Sequence, residues 1–299
     1  GPDGHPDLSA LESVARSIGA TLTRPVVVVT KSTVPVGTNL WLRSVIEDGV
    51  ANRRLDDVRV SIVSCPEFLR VGTAIDDFLF PDRVVIGSDD PAAIETVTAL
   101  YRPILEQQLP EGLGSGPRAS KPQLVTSTLG TAELIKYASN SFLAMKISFI
   151  NEIANVCEAV GADIVDVAKG AGMERRVGTS FFQAGVGYGG SCFPKDVKAL
   201  HKSGKDSGYE FQILDSVIRV NHRQKTILIP KIKAHFGGSL KGRRIGVWGL
   251  AFKPETDDIR EAPALYMIEE LLNLGAEITA FDPEAMDNVK RKMGDRISF

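Results

Sequence analysis

The sequence predicts an α/β protein with a parallel-sheet N-terminal layer, a central helical region holding one long helix, and the start of a second α/β domain. Three observations carry this. Short β-branched runs alternate with helix-period segments over residues 8–102, the βαβα order of a parallel layer. Residues 129–160 contain no proline and place apolar residues on most of a helix circumference. A second strand–helix–strand pattern opens at Arg244. The domain boundaries expected from this are 1–125, 126–238 and 239–299.

In chain order, residues 8–19 have helical spacing (Leu8, Leu11, Val14, Ala15, Ile18), and Pro25 opens the strand Val26–Thr30. The polar loop 31–38, K-S-T-V-P-V-G-T, lies at the carboxyl end of that strand, where open α/β sheets bind ligands. A helix at about 39–49, a strand at 58–63, the loop 65–70, a strand at 83–87 and a helix at 91–102 complete the layer. Residues 110–123 have loop composition, and Gly112-x-Gly114-x-Gly116 within them lacks the preceding strand of a phosphate loop.

The helix 129–160 is apolar nearly all round, so burial on several sides is expected, as a central domain helix that also packs on its twin in a homodimer. A short helix at 163–170, a turn carrying Arg175 and Arg176, a helix at 194–203 and a long helix at 210–235 follow, ended by Gly237-Gly238. A buried-type strand at 244–248, a helix at 263–274 and a strand at 277–281 begin the last domain.

Composition excludes several classes of partner. An apolar share of 43% and a charged share of 24% are those of an ordinary globular protein, and a net charge of −2 gives no field favouring nucleic acid or an anionic membrane. No apolar run reaches spanning length and no signal peptide is visible. The cysteines, Cys65, Cys157 and Cys192, are odd in number and far apart, which argues for a reducing cytoplasm rather than a disulfide framework. Four scattered histidines without Cys-x-x-Cys spacing argue against a metal site. The Gly1-Pro2 start and the end at Phe299 read as cuts through a larger protein.

The densest chemistry lies in Gly185–Asp196, G-V-G-Y-G-G-S-C-F-P-K-D. Glycines let backbone approach a ligand closely, and a helix opened by Pro194 puts Cys192 at a helix amino end that favours negative charge. A lone cysteine is more often a small buried hydrophobe, the reading kept for Cys65 and Cys157. The placement of Cys192, beside Lys195 and Asp196, instead suits a nucleophile. Gly185-x-Gly187-x-x-Gly190 formally matches a dinucleotide fingerprint, but no strand precedes it and the helix starts only after Cys192, so that reading fails.

Other candidates have a bland reading beside the functional one. Glu67, between Pro66 and Phe68, is either a surface carboxylate or a general base in a packed loop. Lys136 and Asn140 share one helix face, and a lysine in such apolar surroundings needs a polar partner or a task. Lys253, after the strand 244–248, is a solvated lysine or a phosphate contact.

Six segments in order resemble the UDP-glucose 6-dehydrogenase family of nucleotide-sugar dehydrogenases: S-T-V-P-V-G-T (32–38), P-E-F-L-R (66–70), P-D-R-V-V-I-G (81–87), E-L-I-K-Y-A-S-N-S-F-L-A (133–144), G-Y-G-G-S-C-F-P-K-D (187–196) and G-L-A-F-K-P-E-T-D-D-I-R-E (249–261). The resemblance implies two incomplete Rossmann-like domains around the helical one, and NAD-dependent four-electron oxidation of UDP-glucose to UDP-glucuronate with two NAD⁺ and one water. It implies that Cys192 forms a thiohemiacetal and then a thioester. Lys136 is implied to stabilise the C6 oxyanion assisted by Asn140, Asp196 with Lys136 to position a water, and Glu67 to be the base in hydrolysis with Thr33 nearby. Phe68, Leu69, Gln183, Tyr188, Gly189, Phe252 and Lys253 are implied to contact the UDP-sugar, with the partner subunit's Arg176. Ser32, Thr33, Lys195 and Arg260 are implied to touch the nicotinamide cofactor.

The sequence departs from the family pattern at Cys65, where asparagine is usual, and at Val71, where a glutamate is usual. The family's opening glycine-rich NAD unit and the later part of its UDP-binding domain have no counterpart, so little or no turnover is expected from 299 residues alone. A GDP-mannose or UDP-N-acetylmannosamine dehydrogenase uses the same cysteine chemistry and remains an alternative, as does a non-catalytic fragment that binds a UDP-sugar or dimerises.

Overall fold

A computed structural model describes residues 6–55, 57–110, 112–114 and 120–299; the Gly1-Pro2 start and Gly116, with much of the 110–123 loop, lie outside the described residues. The chain divides into two compact units, residues 1–139 and 140–299.

The first unit runs α1 (Ser9–Thr21), β1 (Val26–Thr30), α2 (Thr38–Ala51), β2 (Val60–Ser64), α3 (Ala74–Leu79), β3 (Arg83–Gly87), α4 (Pro91–Leu105), β4 (Gln123–Ser127) and the start of α5 (Leu129–Val160). Its sheet has the order β1-β2-β3-β4. β1 and β2 pair in parallel from Val26↔Val60 to Thr30↔Ser64, and β3 and β4 from Arg83↔Gln123 to Gly87↔Ser127. The two pairs meet antiparallel at Ser64↔Gly87, which makes the layer mixed. Side chains alternate across a strand. Ile62 therefore joins one core with Ala15, Leu42 and Ile46 of α1 and α2, while Val63 joins another with Ala93 and Val97 of α4. Burial on both faces explains the unbroken apolar run Val84-Val85-Ile86 of β3.

In the first unit two elements escaped the sequence pattern. α3 has six residues, too few to show a helical period, and β4 is a largely exposed edge strand beside a glycine-rich loop. The amino end of α2 is closed by a residue far away in sequence. Buried Glu133 of α5 accepts hydrogen bonds from the backbone N–H of Gly37 (2.7 Å) and Asn39 (2.9 Å), and from Asn39 Nδ2 (2.8 Å). A carboxylate is favoured at a helix amino end, where N–H groups are otherwise unpaired.

The second unit holds the rest of α5, then α6 (Ile164–Gly172), α7 (Phe193–Asp206), α8 (Gln212–Gln224), α9 (Leu228–His235), β5 (Arg244–Trp248), α10 (Pro263–Asn273), β6 (Glu277–Phe281) and α11 (Met286–Met293). The helix expected over 210–235 is two helices. Pro230 has no N–H and its ring clashes with the carbonyl four residues back, so the chain turns at 225–227 and restarts. β5 and β6 pair in parallel from Arg244↔Glu277 to Trp248↔Phe281. β5 is not the buried-type strand its sequence suggests. Ile245 and Val247 pack on the core of α10, α11 and β6, but Arg244, Gly246 and Trp248 are exposed. α5 likewise does not bury all its sides within one chain. Leu134, Phe142, Phe149 and Val156 stand exposed along it. Among the described residues, no helix is long and apolar enough to cross a membrane.

Asp282, at the end of β6, accepts N–H bonds from Leu250 (2.7 Å), Ala251 (3.1 Å), Glu284 (2.8 Å) and Ala285 (2.8 Å), tying the loop after β5 to the start of α11. Burial pushes its carboxyl up, but these four donors outweigh burial and hold it below the ordinary value. A depressed carboxyl contributes stability above its unfolded pKa, about 3.9, and loses it as pH falls through the folded value. Urea unfolding of Asp282→Ala at neutral pH should show a loss of about 2 kcal/mol. The loss should shrink below the ordinary aspartate range, and an equal deficit at low pH would contradict this account.

Candidate active site

Amide side chains hold the backbone of the glycine-rich loop before α7. Gly185 N donates to Asn151 Oδ1 (2.8 Å), and Gly185 O accepts from Gln224 Nε2 (2.7 Å), itself fixed by Asn155 (3.1 Å). Asn221 grips Tyr188 twice, accepting from its N–H (2.8 Å) and donating to its carbonyl (3.1 Å). Gly187 has φ +93°, and a Cβ there would lie 2.8 Å from Asn221 Oδ1. At Gly189 a Cβ would lie 2.4 Å from the carbonyl oxygen of Glu261, and at Gly190 2.8 Å from the Phe252 ring. The close approach at these two glycines is therefore made by the chain's own segment 252–261, which also accepts a hydrogen bond from Gly190 N at Arg260 O (2.8 Å).

The loop delivers Cys192 as the exposed N-cap residue of α7, with Pro194 in the first turn. On the first turn of α7, Asp196 is buried and accepts from Asn140 Nδ2 of α5 at 2.6 Å, while Lys195 Nζ lies 3.3 Å from its other oxygen. Arg260 is exposed, bonded to Asp258 (2.6 Å), and within electrostatic reach of Cys192. Asp258 is held below the ordinary carboxyl range, first by Arg260. Tyr188 is buried, and burial, then the Glu261 carboxylate, push its phenol up. Lys253 Nζ lies 5.8 Å from the Phe252 ring centroid. Gln183 is exposed, as is Arg176, which pairs with Glu174 at 3.0 Å.

The first unit gathers a second set of side chains. Lys136 is only 4% exposed, with Nζ 3.9 Å from Glu67 Oε1 and 4.9 Å from the Phe68 ring centroid. Arg83 lies 3.9 Å from the same centroid, so one aromatic ring serves two cations. Glu67 Oε2 also accepts the N–H of Leu69 at 2.5 Å, which curls the loop back on its carboxylate. Ser32 is exposed and Thr33 partly buried in the loop after β1. Cys65 is buried, as expected, but it has a polar neighbour. Lys31 Nζ lies 3.5 Å from its sulfur and donates to Tyr101 Oη at 2.8 Å.

Of the predicted residues, Glu67, Phe68, Leu69 and Lys136 come together in the first unit, and Asn140, Tyr188, Gly189, Cys192, Lys195, Asp196, Phe252 and Arg260 in the second. Lys136 and Asn140 stand one turn apart on α5. Sequence reasoning missed Glu133, Asn151, Asn221, Gln224, Glu261 and Lys225. For Glu133, Asn151, Asn221 and Gln224 the available signal was an amide or acid inside a helix, where such a side chain needs a partner if buried; Lys225 and Glu261 lie in turns and gave none.

Residues 2–105 match the NAD binding domain, 130–223 the central domain and 246–299 the UDP binding domain of the UDP-glucose/GDP-mannose dehydrogenase family. A UDP-glucose 6-dehydrogenase of Rhizobium meliloti (strain 1021) is 47% identical over 291 residues, which cover 97% of this chain and 62% of that protein. Among solved structures, a UDP-glucose dehydrogenase from the hyperthermophilic archaeon Pyrobaculum islandicum superposes with a TM-score of 0.88 at 38% identity, covering 100% of this chain and 65% of the other. A UDP-D-ManNAc dehydrogenase from Pyrococcus horikoshii superposes with a TM-score of 0.79 at 25% identity, covering 94% and 62%. The chain thus spans less than two thirds of the length of these relatives. Matched in order to three domains of one family, and close to half identical to a relative over nearly its whole length, the chain belongs to the UDP-glucose/GDP-mannose dehydrogenase family.

Proposed function

We propose that the chain acts as an NAD-dependent UDP-glucose 6-dehydrogenase in the cytoplasm, oxidising the C6 alcohol of UDP-glucose to the carboxylate of UDP-glucuronate. The observation that carries the reading is an exposed Cys192 at the amino end of α7, one helical turn before a buried Asp196 bonded to Asn140. The identities to UDP-glucose enzymes, 47% and 38%, against 25% for the UDP-D-ManNAc enzyme, support this sugar over its sisters.

The residues present suit the reactive end of a nicotinamide cofactor. Lys195 is half exposed beside Asp196, and Arg260 is exposed near Cys192. The amino end of α2 offers no phosphate cradle, because Glu133 already takes its N–H groups. Ser32, Thr33, Lys195 and Arg260 are the residues assigned to the cofactor, which supplies hydride acceptance.

The protein's own groups carry the rest. Lys136 places an ammonium where oxyanion charge develops at C6, and Asn140 assists it. The Cys192 sulfur adds to the C6 aldehyde carbon, forming a C–S bond, so the thiohemiacetal can be oxidised again to a thioester. Glu67 takes a proton from the water that Asp196, Lys136 and Thr33 position. That water breaks the C–S bond and returns the sulfur as its anion. Phe68, Leu69, Gln183, Tyr188, Gly189, Phe252 and Lys253 hold the UDP-sugar, joined by the partner subunit's Arg176. The exposed apolar stripe Leu134, Phe142, Phe149 and Val156 on α5, spaced by seven or eight residues, supports a homodimer through this helix. The domain boundaries near 126 and 239 belong to the same proposal.

Three outcomes test this reading. In an assay following NADH from UDP-glucose and NAD⁺, Cys192→Ser should lower turnover by at least about 10²-fold; undiminished NADH would remove the covalent route. UDP-glucose at 100 times its Kd should raise the melting temperature by roughly 5 °C, with a smaller shift from GDP-mannose, and the reverse order would favour the sister enzyme. Light scattering should find a dimer that Phe142→Asp converts to monomer at equal concentration, whereas a native monomer would sink the homodimer.

A further inference from the structure

We propose that Glu261 is a positioning residue for the Cys192 thiol, acting through the peptide it shares with Arg260 and through Gly189 and Gly190. The inference rests on the reading of Cys192 as the nucleophile. Glu261 has φ +53°, in the left-handed region, which a residue with a Cβ rarely adopts. Such backbone persists where surrounding contacts over-determine it, and it clusters at functional sites. Here the contacts are visible. The carboxylate oxygen Oε2 accepts from Lys225 Nζ at 2.8 Å and from Tyr266 Oη at 2.6 Å, and Lys225 Nζ sits 3.9 Å from the Tyr266 ring centroid. Lys225 is buried, so the ion pair is shielded from solvent on that side.

With its side chain fixed, Glu261 holds its carbonyl against Gly189, where a Cβ would lie 2.4 Å away, and the preceding carbonyl of Arg260 receives the N–H of Gly190 at 2.8 Å. Cys192 follows two residues later. The same peptide carries the Arg260 side chain, whose guanidinium lies within electrostatic reach of Cys192. Lys225, Glu261 and Tyr266 line one pocket of about 230 Å³ with Tyr188 and Pro194, residues on either side of the cysteine. One carboxylate therefore sets the path of the loop and fixes the backbone from which the Arg260 side chain, itself held by Asp258, extends.

The test is the rate at which iodoacetamide alkylates Cys192 in the full chain without substrate, read by mass spectrometry of the cysteine peptides. Alkylation requires the sulfur anion. Cys65 and Cys157 are buried, so their protection certifies folding in each variant. Glu261→Ala should lower the Cys192 rate about five-fold, as expected for a lost charge-assisted hydrogen-bond pair. Glu261→Gln keeps an acceptor oxygen for Lys225 and Tyr266 and should stay within about two-fold of the native rate. Glu261→Gly relieves the left-handed backbone, so a residue that only supported the fold would leave the rate unchanged; the clamp predicts the same fall as alanine. Should both truncations unfold, Tyr266→Phe decides, with a fall of about two-fold expected. A native rate in a folded Glu261→Gly, or in Tyr266→Phe where that variant decides, overturns the proposal. No sugar nucleotide is used, so inert UDP-glucose would sink the functional reading and leave the clamp standing, and native alkylation rates would do the reverse.

Discussion

Gly189 has no room for a side chain. The carbonyl oxygen of Glu261 lies 2.4 Å from where its Cβ would be, closer than any real Cβ contact. This contact sets the path of the backbone that ends in Cys192. Because the loop lies flat on segment 252–261, Gly190 can donate to Arg260, and α7 can begin with its cysteine exposed and Asp196 turned inward to Asn140. Asn151, Asn221 and Gln224 answer the backbone N–H and C=O of Gly185 and of Tyr188 with side-chain amides. A loop that borrows its partners in this way is rigid without belonging to a sheet or a helix.

α5 supplies buried polar groups to each unit. Glu133, Lys136, Asn140 and Asn151 are buried on it, and each meets a named group: the start of α2, Glu67 and Phe68, Asp196, and Gly185. An unpaired buried charge costs several kcal/mol, so within the first unit the pairings of Glu133 and Lys136 hold α5 against the start of α2 and the loop at Glu67. The other face, with Phe142 and Phe149, carries an exposed apolar stripe. One helix thus combines a polar, buried side suited to chemistry with an apolar side suited to association.

Much of the fold is legible in the sequence, because it depends on periods and local signals. The bounds of α5 at 129 and 160, the parallel pairs β1/β2 and β5/β6, and the cysteine at the start of a helix all follow from patterns a few residues long. Misses came where context overrode pattern. Val247 and Trp248 are both apolar, and composition could not say that Trp248 would be exposed. Residues 210–235 have one continuous helical character, which Pro230 interrupts. The antiparallel meeting of β2 and β3 rests on one register pair and leaves no mark in either strand.

The candidate site divides the same way. Cys192, Lys136, Asn140, Asp196 and Glu67 could be named from residue type and motif, because their chemistry is carried by the side chain itself. The groups that hold them could not. Glu133 reaches residues 94 and 96 positions away, Asn221 a residue 33 away, and Lys225 one 36 away. The amino-acid order by itself determined most of the elements and the candidate groups, since both arise from neighbours in the chain. Only the tertiary structure decided which glycine must stay bare and which carboxylate holds a loop, since those depend on backbone atoms brought together from distant segments.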